Sequence, residues 1–526
     1  MRQADSSEQL LSQEVRMPSY LSPGVYVEEV SSGSKPIEGV GTAVAAFVGF
    51  TEKGPLNEPV LVTNWTQYVT TFGQFSEGAL LPHSVYGFFL NGGGSAYVVR
   101  VGAGSSGGPA RAVGSAAARA ELPSHGEGRA LAVRAADGAP TGAPLTVEVQ
   151  EPTEPAEDNF KLVVRAGAEE EVFDNVTTRR GAANVVAALR KSKWVVAEET
   201  KGAALAVPDR GVLTTLSSDE PEPATPSADE YIGDADERTG LSGLEAVDDI
   251  TMLCVPDLMS AYQAGTIDLD GVKAVQLAMI AHCELMSDRV AVLDPPPSLR
   301  PQQLKEWRMV TTGYDSKYAT LYWPWIKVAD PRTGKPLFVP PSGHVAGVWA
   351  RNDDTRGVHK APANEVVRGV LELQSSLTRG EHDQLNPIGV NCLRFFPGQG
   401  IRIWGARTLS SDAEWRYLNV RRLFNYVEKS ILGGTHWVVF EPNDEFLWSS
   451  VERVIGSFLR RIWRTGALFG RTPEEAYYVK CDAENNPPEN RDAGILTVDI
   501  GIAPVKPAEF VVFRLSQFAE GTELEE

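Results

Sequence analysis

The middle of the chain alternates short apolar runs with longer segments of helical periodicity. Strands are predicted at 250–255, 289–293 and 319–323, and helices at 271–286 and 301–311. An earlier apolar run, residues 43–50, is interpreted as another strand of the same sheet. Alternation of strand and helix predicts a partly parallel sheet that is covered by helices.

The clearest helical patterns lie nearer the C-terminus. A capping box is predicted at 411–414, followed by apolar residues at helical spacing and by Gly433 as the residue after the helix. A second helix, 446–466, has one apolar stripe, formed by Val451, Val454, Ile455, Phe458, Leu459, Ile462 and Trp463. Further strands are predicted at 437–440, 476–480, 495–500 and 510–518. Four arginines of the second helix avoid the stripe, so a basic face is expected to stay exposed: Arg453, Arg460, Arg461 and Arg464.

Each end of the chain contains a strand-like segment with no obvious partner beside it in sequence. The side chains concerned are Val25, Tyr26 and Val27 at one end and Phe510, Val511, Val512, Phe513 and Leu515 at the other. A strand without a partner in its own chain can complete the sheet of another molecule. The two ends therefore predict a chain that links to copies of itself.

Residues 102–128 and 217–227 are interpreted as linkers, because Gly, Ala and Ser dominate the first and Pro with polar residues dominates the second. Short strands are predicted between them at 131–134, 145–150, 160–165 and 194–196, with a helix at 181–191. The segment 102–240 has 14 Lys and Arg against 23 Asp and Glu, which gives −9. This pattern predicts a small β-rich domain, inserted into a larger one and facing outward.

The composition is that of a globular protein of several domains, with 526 residues, 42% hydrophobic and 22% charged. Neither a signal peptide nor an apolar run long enough to cross a membrane is present, so the expected place of assembly is the cytoplasm. A net charge of −20 argues against nucleic-acid binding. The four cysteines have no CxxC spacing and are interpreted as core residues.

Two motifs of enzymes occur by composition in the first linker. Residues 102–107 match GxGxxG and residues 104–108 match GxSxG, but neither is followed by the helix that a phosphate site or a nucleophile elbow requires. The seven histidines form no metal-ligand spacing, and the acidic pairs are more typical of caps and turns. No catalytic, cofactor or metal site is therefore predicted.

Several segments resemble contractile tail sheath proteins in the expected order. They are PSYLSPGVYVEEV (18–30), TAVAAFVGF (42–50), NGGGSAYVVR (91–100), RTGLSGLEAVDD (238–249), NPIGVN (386–391), GARTL (405–409), WRYLNVRR (415–422) and FEPN (440–443) through to Trp448. The resemblance covers residues 18–105 and 238–518, and leaves the segment between them unmatched. Members of that family polymerise around a tube as the contracting cylinder of phage tails and related injection machines.

The resemblance implies an α/β and α+β multidomain fold, with mixed sheets covered by helices, an inserted β-rich domain and extended terminal strand arms. The expected division is a linking arm at 1–30, a central domain at 31–101 and 240–360, the insert at 102–239, a C-terminal core domain at 361–508, and a linking strand with an acidic tail at 509–526. The implied function is that of a sheath subunit without cofactors. A shell or tube protein that does not contract, or an α/β enzyme, are the alternatives.

The implied partners are further copies of the chain in stacked six-membered rings, an inner tube protein, and baseplate and terminator or cap proteins. Neither nucleic acid nor a membrane is an implied direct partner, and the particle could leave the cell by lysis. A basic helix face is by itself usually a solvated surface. Sheath proteins place a C-terminal helix against an oppositely charged tube, so the resemblance assigns Arg453, Arg460, Arg461 and Arg464 to tube contact.

Overall fold

A computed structural model describes residues 36–76, 78–102, 119–124, 131–136, 145–156, 158–166, 169–179, 181, 183–197, 205–211, 213–215 and 227–514. The chain divides into two compact units. One, here the C-terminal unit, contains the described residues 36–40 and 428–505. The other, here the main unit, contains the described residues from 41 to 427 and from 506 to 514.

The strands are β1 Val44–Gly49, β2 Val60–Val62, β3 Ser95–Arg100, β4 Arg119–Glu121, β5 Ala132–Ala135, β6 Leu145–Gln150, β7 Asn159–Ala166, β8 Glu169–Thr177, β9 Val195–Ala197, β10 Leu213–Thr215, β11 Met252–Cys254, β12 Val290–Leu293, β13 Ala319–Trp323, β14 Ile326–Ala329, β15 Pro336–Val339, β16 Val370–Leu373, β17 Val390–Phe396, β18 Gly400–Ile403, β19 Tyr477–Lys480 and β20 Asp499–Ile502.

The α-helices are α1 Trp65–Phe72, α2 Leu81–Asn91, α3 Val185–Leu189, α4 Ala228–Ile232, α5 Leu258–Ala264, α6 Leu269–Met286, α7 Pro301–Glu306, α8 Ser342–Arg356, α9 Arg379–Leu385, α10 Leu418–Gly434, α11 Glu445–Arg464, α12 Pro473–Ala476 and α13 Pro488–Asp492. A π-helix, Trp307–Thr312, continues α7, and short 3₁₀ helices lie at Ser242–Ala246, Asn386–Ile388 and His436–Val438.

The main unit is built on an eight-stranded sheet in the order β18-β17-β13-β12-β11-β1-β3-β2. The six inner strands are parallel, and β18 and β2 are antiparallel edge strands. From β1 the chain moves to β3 on one side and later to β11 on the other, so the strand order reverses between β1 and β11. This arrangement confirms the predicted, partly parallel sheet. Parallel strands that are buried on both faces need helices over each face.

Helices α2 and α8 pack closely, because small residues line their contact. A Cβ atom added to Gly87 of α2 would lie 2.2 Å from the ring of His344, and one added to Gly347 of α8 would lie 2.3 Å from the carbonyl oxygen of Phe88. Neither glycine could therefore accept a side chain without separating the helices. The large side chains Trp323, Trp325 and Trp349 are fully buried in the core beside them.

The stretch between β3 and α4 contains its own hydrophobic cluster, which includes Val147, Phe160, Leu162 and Val195. It has one sheet in the order β10-β6-β7-β8 and another in the order β4-β5-β9. The predicted strands at 131–134, 145–150, 160–165 and 194–196 are all present within a residue or two, while β4, β8 and β10 were not predicted. The predicted helix at 181–191 is shorter, since α3 spans Val185–Leu189.

Two of the expected domain boundaries differ from the structure. Helix α4 was expected within the insert, yet its Tyr231 is fully buried in the core of the main unit. Strands β17 and β18 were expected in a C-terminal domain beginning at 361, yet β17 pairs with β13 in the central sheet. Both segments are joined to this core by long-range packing, which local sequence patterns do not reveal.

Three local predictions near the C-terminus are wrong. The capping box at 411–414 does not start a helix, because Ser411 donates to Asp315 and α10 begins at Leu418. Gly433 lies within α10 and does not follow it. Residues 437–440 form no strand, since His436–Val438 is a 3₁₀ helix. Residues 510–514 form no strand within this chain, residues 515–518 lie outside the described residues, and pairing of the segment with another copy stays a prediction.

Candidate interaction surfaces

Parallel α/β sheets usually bind ligands at the carboxyl edge, where the strand order reverses. In this chain a side chain occupies that position. Asp257, which follows β11, accepts hydrogen bonds from the amides of Phe50, Leu80 and Leu81 at 2.7, 2.5 and 2.9 Å, and from Ser260 Oγ at 3.2 Å. The N-terminus of α2, which could otherwise bind an anion, is therefore bound by the protein's own carboxylate.

A second buried carboxylate lies at the same edge. Asp294 follows β12, and its Oδ1 accepts the amide of Ser342 at the start of α8, at 3.0 Å. Burial raises the pKa of Asp257 to about 6 and that of Asp294 to about 7, against the opposing effect of their hydrogen bonds. Perturbed carboxyls are common at active sites, but both of these serve as helix caps inside the core.

The remaining titratable groups also behave as core residues. Burial lowers the pKa of His282 to about 4 and that of His344 to about 3. All four cysteines are free and buried, as predicted. Across the described ranges, no cluster of three or more His, Cys, Asp and Glu could hold a metal ion.

Helix α11 has the predicted two faces. The side chains of Val451, Val454, Ile455, Phe458, Leu459 and Ile462 are buried, with Asp444 as the N-cap accepting the amide of Leu447 at 2.9 Å. Arg453, Arg460, Arg461 and Arg464 are all exposed on this helix. They form the basic face, and α11 contacts β19 and α12.

One of these arginines also has an internal partner. The guanidinium of Arg461 donates to the carbonyl oxygen of Ile37 and lies over the ring of Phe458 at 5.9 Å from its centroid. Ile37 is itself buried, and its side chain fills the space beside Gly434. Arg461 thus binds the first described segment of the C-terminal unit, residues 36–40, to helix α11. The predicted arm residues Val25, Tyr26 and Val27 lie outside the described residues.

The C-terminal segment, residues 506–514, is bonded through Glu509 to three other residues of the main unit. The carboxylate of Glu509 accepts hydrogen bonds from Arg407 Nε and Nη2 at 2.9 and 2.6 Å, from Asn386 Nδ2 at 2.7 Å and from the hydroxyl of Tyr417 at 3.3 Å. We call Arg407, Asn386 and Tyr417 the socket. Burial tends to raise the pKa of Glu509, but these hydrogen bonds outweigh it and the pKa is lowered, so the carboxylate is charged.

Directly after Glu509 come the predicted arm residues of this end. Phe510, Val511, Val512 and Phe513 are 75%, 68%, 78% and 85% exposed. Four consecutive apolar side chains in water are costly, since burying each would contribute about 1.5–3 kcal/mol. Leu515, the last predicted arm residue, lies outside the described residues.

The C-terminal unit contains a two-stranded sheet, and just beyond β20 Pro504 forms an isolated bridge with Leu468. Its two strands, β19 and β20, are antiparallel and pair from Tyr477 with Ile502 to Lys480 with Asp499. Two strands without further packing are marginally stable, and here helix α11 contacts β19. In the same unit Phe440 is fully exposed, with a left-handed backbone (φ 70°), a conformation that is unusual for a bulky residue.

Sequence reasoning singled out apolar residues near each end and the basic face of α11, whose roles stay predictions, and it missed the socket. Arg407, Asn386 and Tyr417 were quoted only as parts of family-like segments, with no chemistry attached. Glu509 lies 102, 123 and 92 residues from Arg407, Asn386 and Tyr417 along the chain. No spacing rule connects them, so only the folded chain brings them together.

Two family models match the chain. The central domain of phage tail sheath proteins matches residues 235–409, and the C-terminal domain of phage tail sheath proteins matches residues 410–518. The matches are adjacent and together cover more than half of the 526 residues. The model boundary at 409/410 keeps β17 and β18 with the central domain, in agreement with the sheet.

Among the curated relatives, the tail sheath protein of Burkholderia phage BcepMu is 22% identical over 515 residues, which cover 93% of this chain and 95% of that protein. The tail sheath protein of Vibrio phage KVP40 is 32% identical over 181 residues, which cover 34% of this chain. That match spans about a quarter of the length of the Vibrio phage protein, at 26%.

Among solved structures, the sheath complex of PVC, an extracellular contractile injection system in its contracted state, matches with a TM-score of 0.58 and 23% identity. The match covers 96% of this chain and 99% of that one. The contracted helical sheath of the anti-feeding prophage matches with a TM-score of 0.57 and 23% identity, over 95% of this chain and all of that one. At this identity the likeness concerns the fold, which is an α/β fold of several domains.

Proposed function

This chain belongs to the phage tail sheath family, a structural family and not an enzyme family, and from that premise we propose that it is a sheath subunit that polymerises as stacked six-membered rings around an inner tube. Contraction of the polymer would drive the tube through a target envelope. Further copies of the chain would bind by exchanging terminal strands. A tube protein, a baseplate and a terminator or cap protein complete the proposed set of partners.

The observation that carries this proposal is the C-terminal segment. Four apolar side chains, residues 510–513, follow a fixed residue and remain in water. A segment of this kind gains its burial by joining another molecule, and an extended chain joins a sheet edge by main-chain hydrogen bonds. The two-stranded sheet β19/β20 offers such an edge, and added strands would stabilise it. We infer that it receives arms from neighbouring copies.

The proposed contraction requires rigid bodies that stay linked to one another. We propose that the units rotate as packed bodies between two lattices while the terminal arms that link the copies bend. We propose that the extended polymer is metastable because it assembles on the tube, and that contraction releases energy stored at assembly. Small gains at each interface add over many subunits and make the stroke cooperative.

The alternatives are an α/β enzyme and a shell or tube protein that does not contract. The carboxyl edge of the sheet, where an α/β enzyme would bind its ligand, is occupied by Asp257 and Asp294 in capping roles. A shell or tube protein that does not contract would also use strand exchange, but it would form one lattice only. Microscopy of particles before and after triggering separates these two cases.

The first prediction concerns the arms. Deleting residues 1–30, or all residues after Ala508, should leave folded subunits that form no long sheaths, because strand exchange loses its donor. Sedimentation and negative-stain microscopy measure the polymer, and circular dichroism measures the fold. As matched controls, deletion of residues 1–16 or 519–526 removes polar tails only and should leave sheaths intact. Normal sheaths from both long deletions would refute arm exchange.

A further inference from the structure

Glu509 is bound by three side chains of the socket although the segment around it is irregular. Residues 506–514 adopt no regular secondary structure, yet one carboxylate within them receives four hydrogen bonds. Charge-assisted, two-pronged contacts between arginine and carboxylate fix orientation as well as position. The side chains of Arg407 and Glu509 are 9% and 19% exposed, so water screens this pair less than a surface pair.

The socket is rigid because the central sheet holds it from behind. The amide of Arg407 donates to Asn391 Oδ1 at 2.7 Å, and its carbonyl oxygen accepts Thr320 Oγ1 and Asn391 Nδ2 at 3.0 and 2.8 Å. Thr320 lies in β13 and Asn391 in β17, and both are fully buried. Arg407 also forms an isolated backbone bridge with Tyr417. These bonds fix the backbone of Arg407, and its guanidinium Nη1 donates to the carbonyl oxygen of Asn386 at 3.2 Å, a contact that does not involve Glu509.

We propose that Glu509 is a positioning residue, which fixes in this socket the point at which the C-terminal strand leaves the main unit towards a second copy of this chain. This inference rests on the proposed function, because it requires the strand to be donated. A strand tethered at its root has fewer conformations to lose on docking and a higher effective concentration at its target. The socket would also transmit force between the strand and the sheet when copies move.

The socket gives a chemical role to one residue in each of three segments that resemble the sheath family. Residues 386–391, 405–409 and 415–422 each contribute one socket side chain. Glu509 is the residue immediately before the four exposed apolar side chains. The fixed point and the free strand are thus adjacent, which is the order that positioning requires.

The test compares three variants of the full chain. Glu509→Gln keeps the side-chain size but removes the charge, Arg407→Lys keeps a charge but loses the fork, and Lys506→Gln is the control, three residues away on an exposed side chain. We expect Glu509→Gln to raise the subunit concentration needed for polymer about tenfold, which corresponds to about 1.4 kcal/mol. Arg407→Lys should show an intermediate effect, and Lys506→Gln none.

Two further measurements keep the outcome decisive. A chain truncated after Glu509 keeps the socket filled but lacks the strand, and calorimetry of unassembled subunits measures any loss of fold stability. If Glu509→Gln assembles like the wild type while the truncated chain does not, positioning is refuted and strand exchange stands. If the truncated chain assembles normally, strand exchange and positioning both fail. A melting-temperature loss in Glu509→Gln large enough to account for the assembly defect would reduce Glu509 to a structural role and overturn the inference.

Discussion

At the scale of single residues, the main unit hides several titratable groups between helices α2 and α8 and the sheet. Asp257 and Asp294 cap the two helices, and His344 lies against Gly87 with no partner for Nδ1 among the described residues. Each group is held away from water, so its protonation differs between the folded and unfolded chain. Such differences make the stability of the fold depend on pH.

The prediction at this scale concerns His344. Burial, and then the neighbouring His83, lower the pKa of His344 from its ordinary value of 6.5 to about 3. As the pH falls below 6.5, the unfolded chain binds a proton at this residue while the folded chain does not, so stability is lost towards acid. His344→Phe should remove this contribution: relative to the variant, the wild type should lose about 1.4 kcal/mol per pH unit below 6.5.

Chemical unfolding of both proteins at pH 8, 6 and 5 measures this difference. Phenylalanine is larger than histidine, so a constant cost of about 1–3 kcal/mol at every pH is expected from overpacking. The diagnostic quantity is how the difference in unfolding free energy between the two proteins changes with pH. Parallel curves for the two proteins would show that His344 titrates alike in both states.

At the scale of elements, helix α11 shows how one amphipathic pattern serves two purposes. Its apolar stripe forms the core of the C-terminal unit, and its arginines remain at the surface. These arginines differ in their contacts. Arg461 donates a hydrogen bond to the carbonyl oxygen of Ile37, while Arg460 and Arg464 are exposed. Exposed ion pairs contribute only about 0–1 kcal/mol each, so contact with a tube would depend on repetition around each ring.

The prediction for this helix is that Arg460→Glu with Arg464→Glu leaves folding intact but abolishes extended sheath on tubes. Repulsion from an acidic tube would add over the subunits of every ring, while polymer formed without a tube should still appear. Negative-stain microscopy of co-expressed sheath and tube measures both particles. Arg471→Glu, on an exposed residue beyond the helix, is the control.

Abundant extended particles from the double variant would exclude this face as the tube contact. Arg461→Glu is a separate experiment, because it also removes the bond to Ile37 and could act through the N-terminal segment.

At the scale of the whole molecule, the segments that precede and follow the insert are both bonded to Asn57 of the main unit. The amide of Asn57 donates to the carbonyl oxygen of Arg100 at 2.8 Å, and Asn57 Oδ1 accepts the amide of Gly240 at 3.2 Å. The last residue of β3 and a residue beyond α4 are thus both bonded to one residue, through its backbone and its side chain respectively. Inserted domains with close ends and their own core are the ones that proteins tolerate losing.

The corresponding prediction is that replacing residues 104–225 by a short Gly/Ser linker preserves the fold and polymerisation. The cut must stop before α4, because Tyr231 belongs to the core of the main unit. Extending the deletion to residue 239 is the matched comparison and should destabilise the protein. Calorimetry and sedimentation measure both variants. Insolubility of the shorter deletion would show that the insert supports the main fold.

The sequence alone determined the features that repeat locally. Buried strands and the amphipathic helix α11 follow from side-chain periodicity, and α6 was predicted to within two residues of its start. Periodicity depends on neighbours along the chain, so it survives without any tertiary contact. The family-like segments and the apolar runs near each end of the sequence belong to the same class of information.

Tertiary structure alone decided what joins distant segments. It placed β17 beside β13, put Tyr231 of α4 into the main core, and filled the carboxyl edge of the sheet with Asp257. It also brought Arg407, Asn386 and Tyr417 around Glu509. These arrangements depend on which surfaces bury each other across hundreds of residues, and no local pattern of hydrophobic and polar positions contains that information.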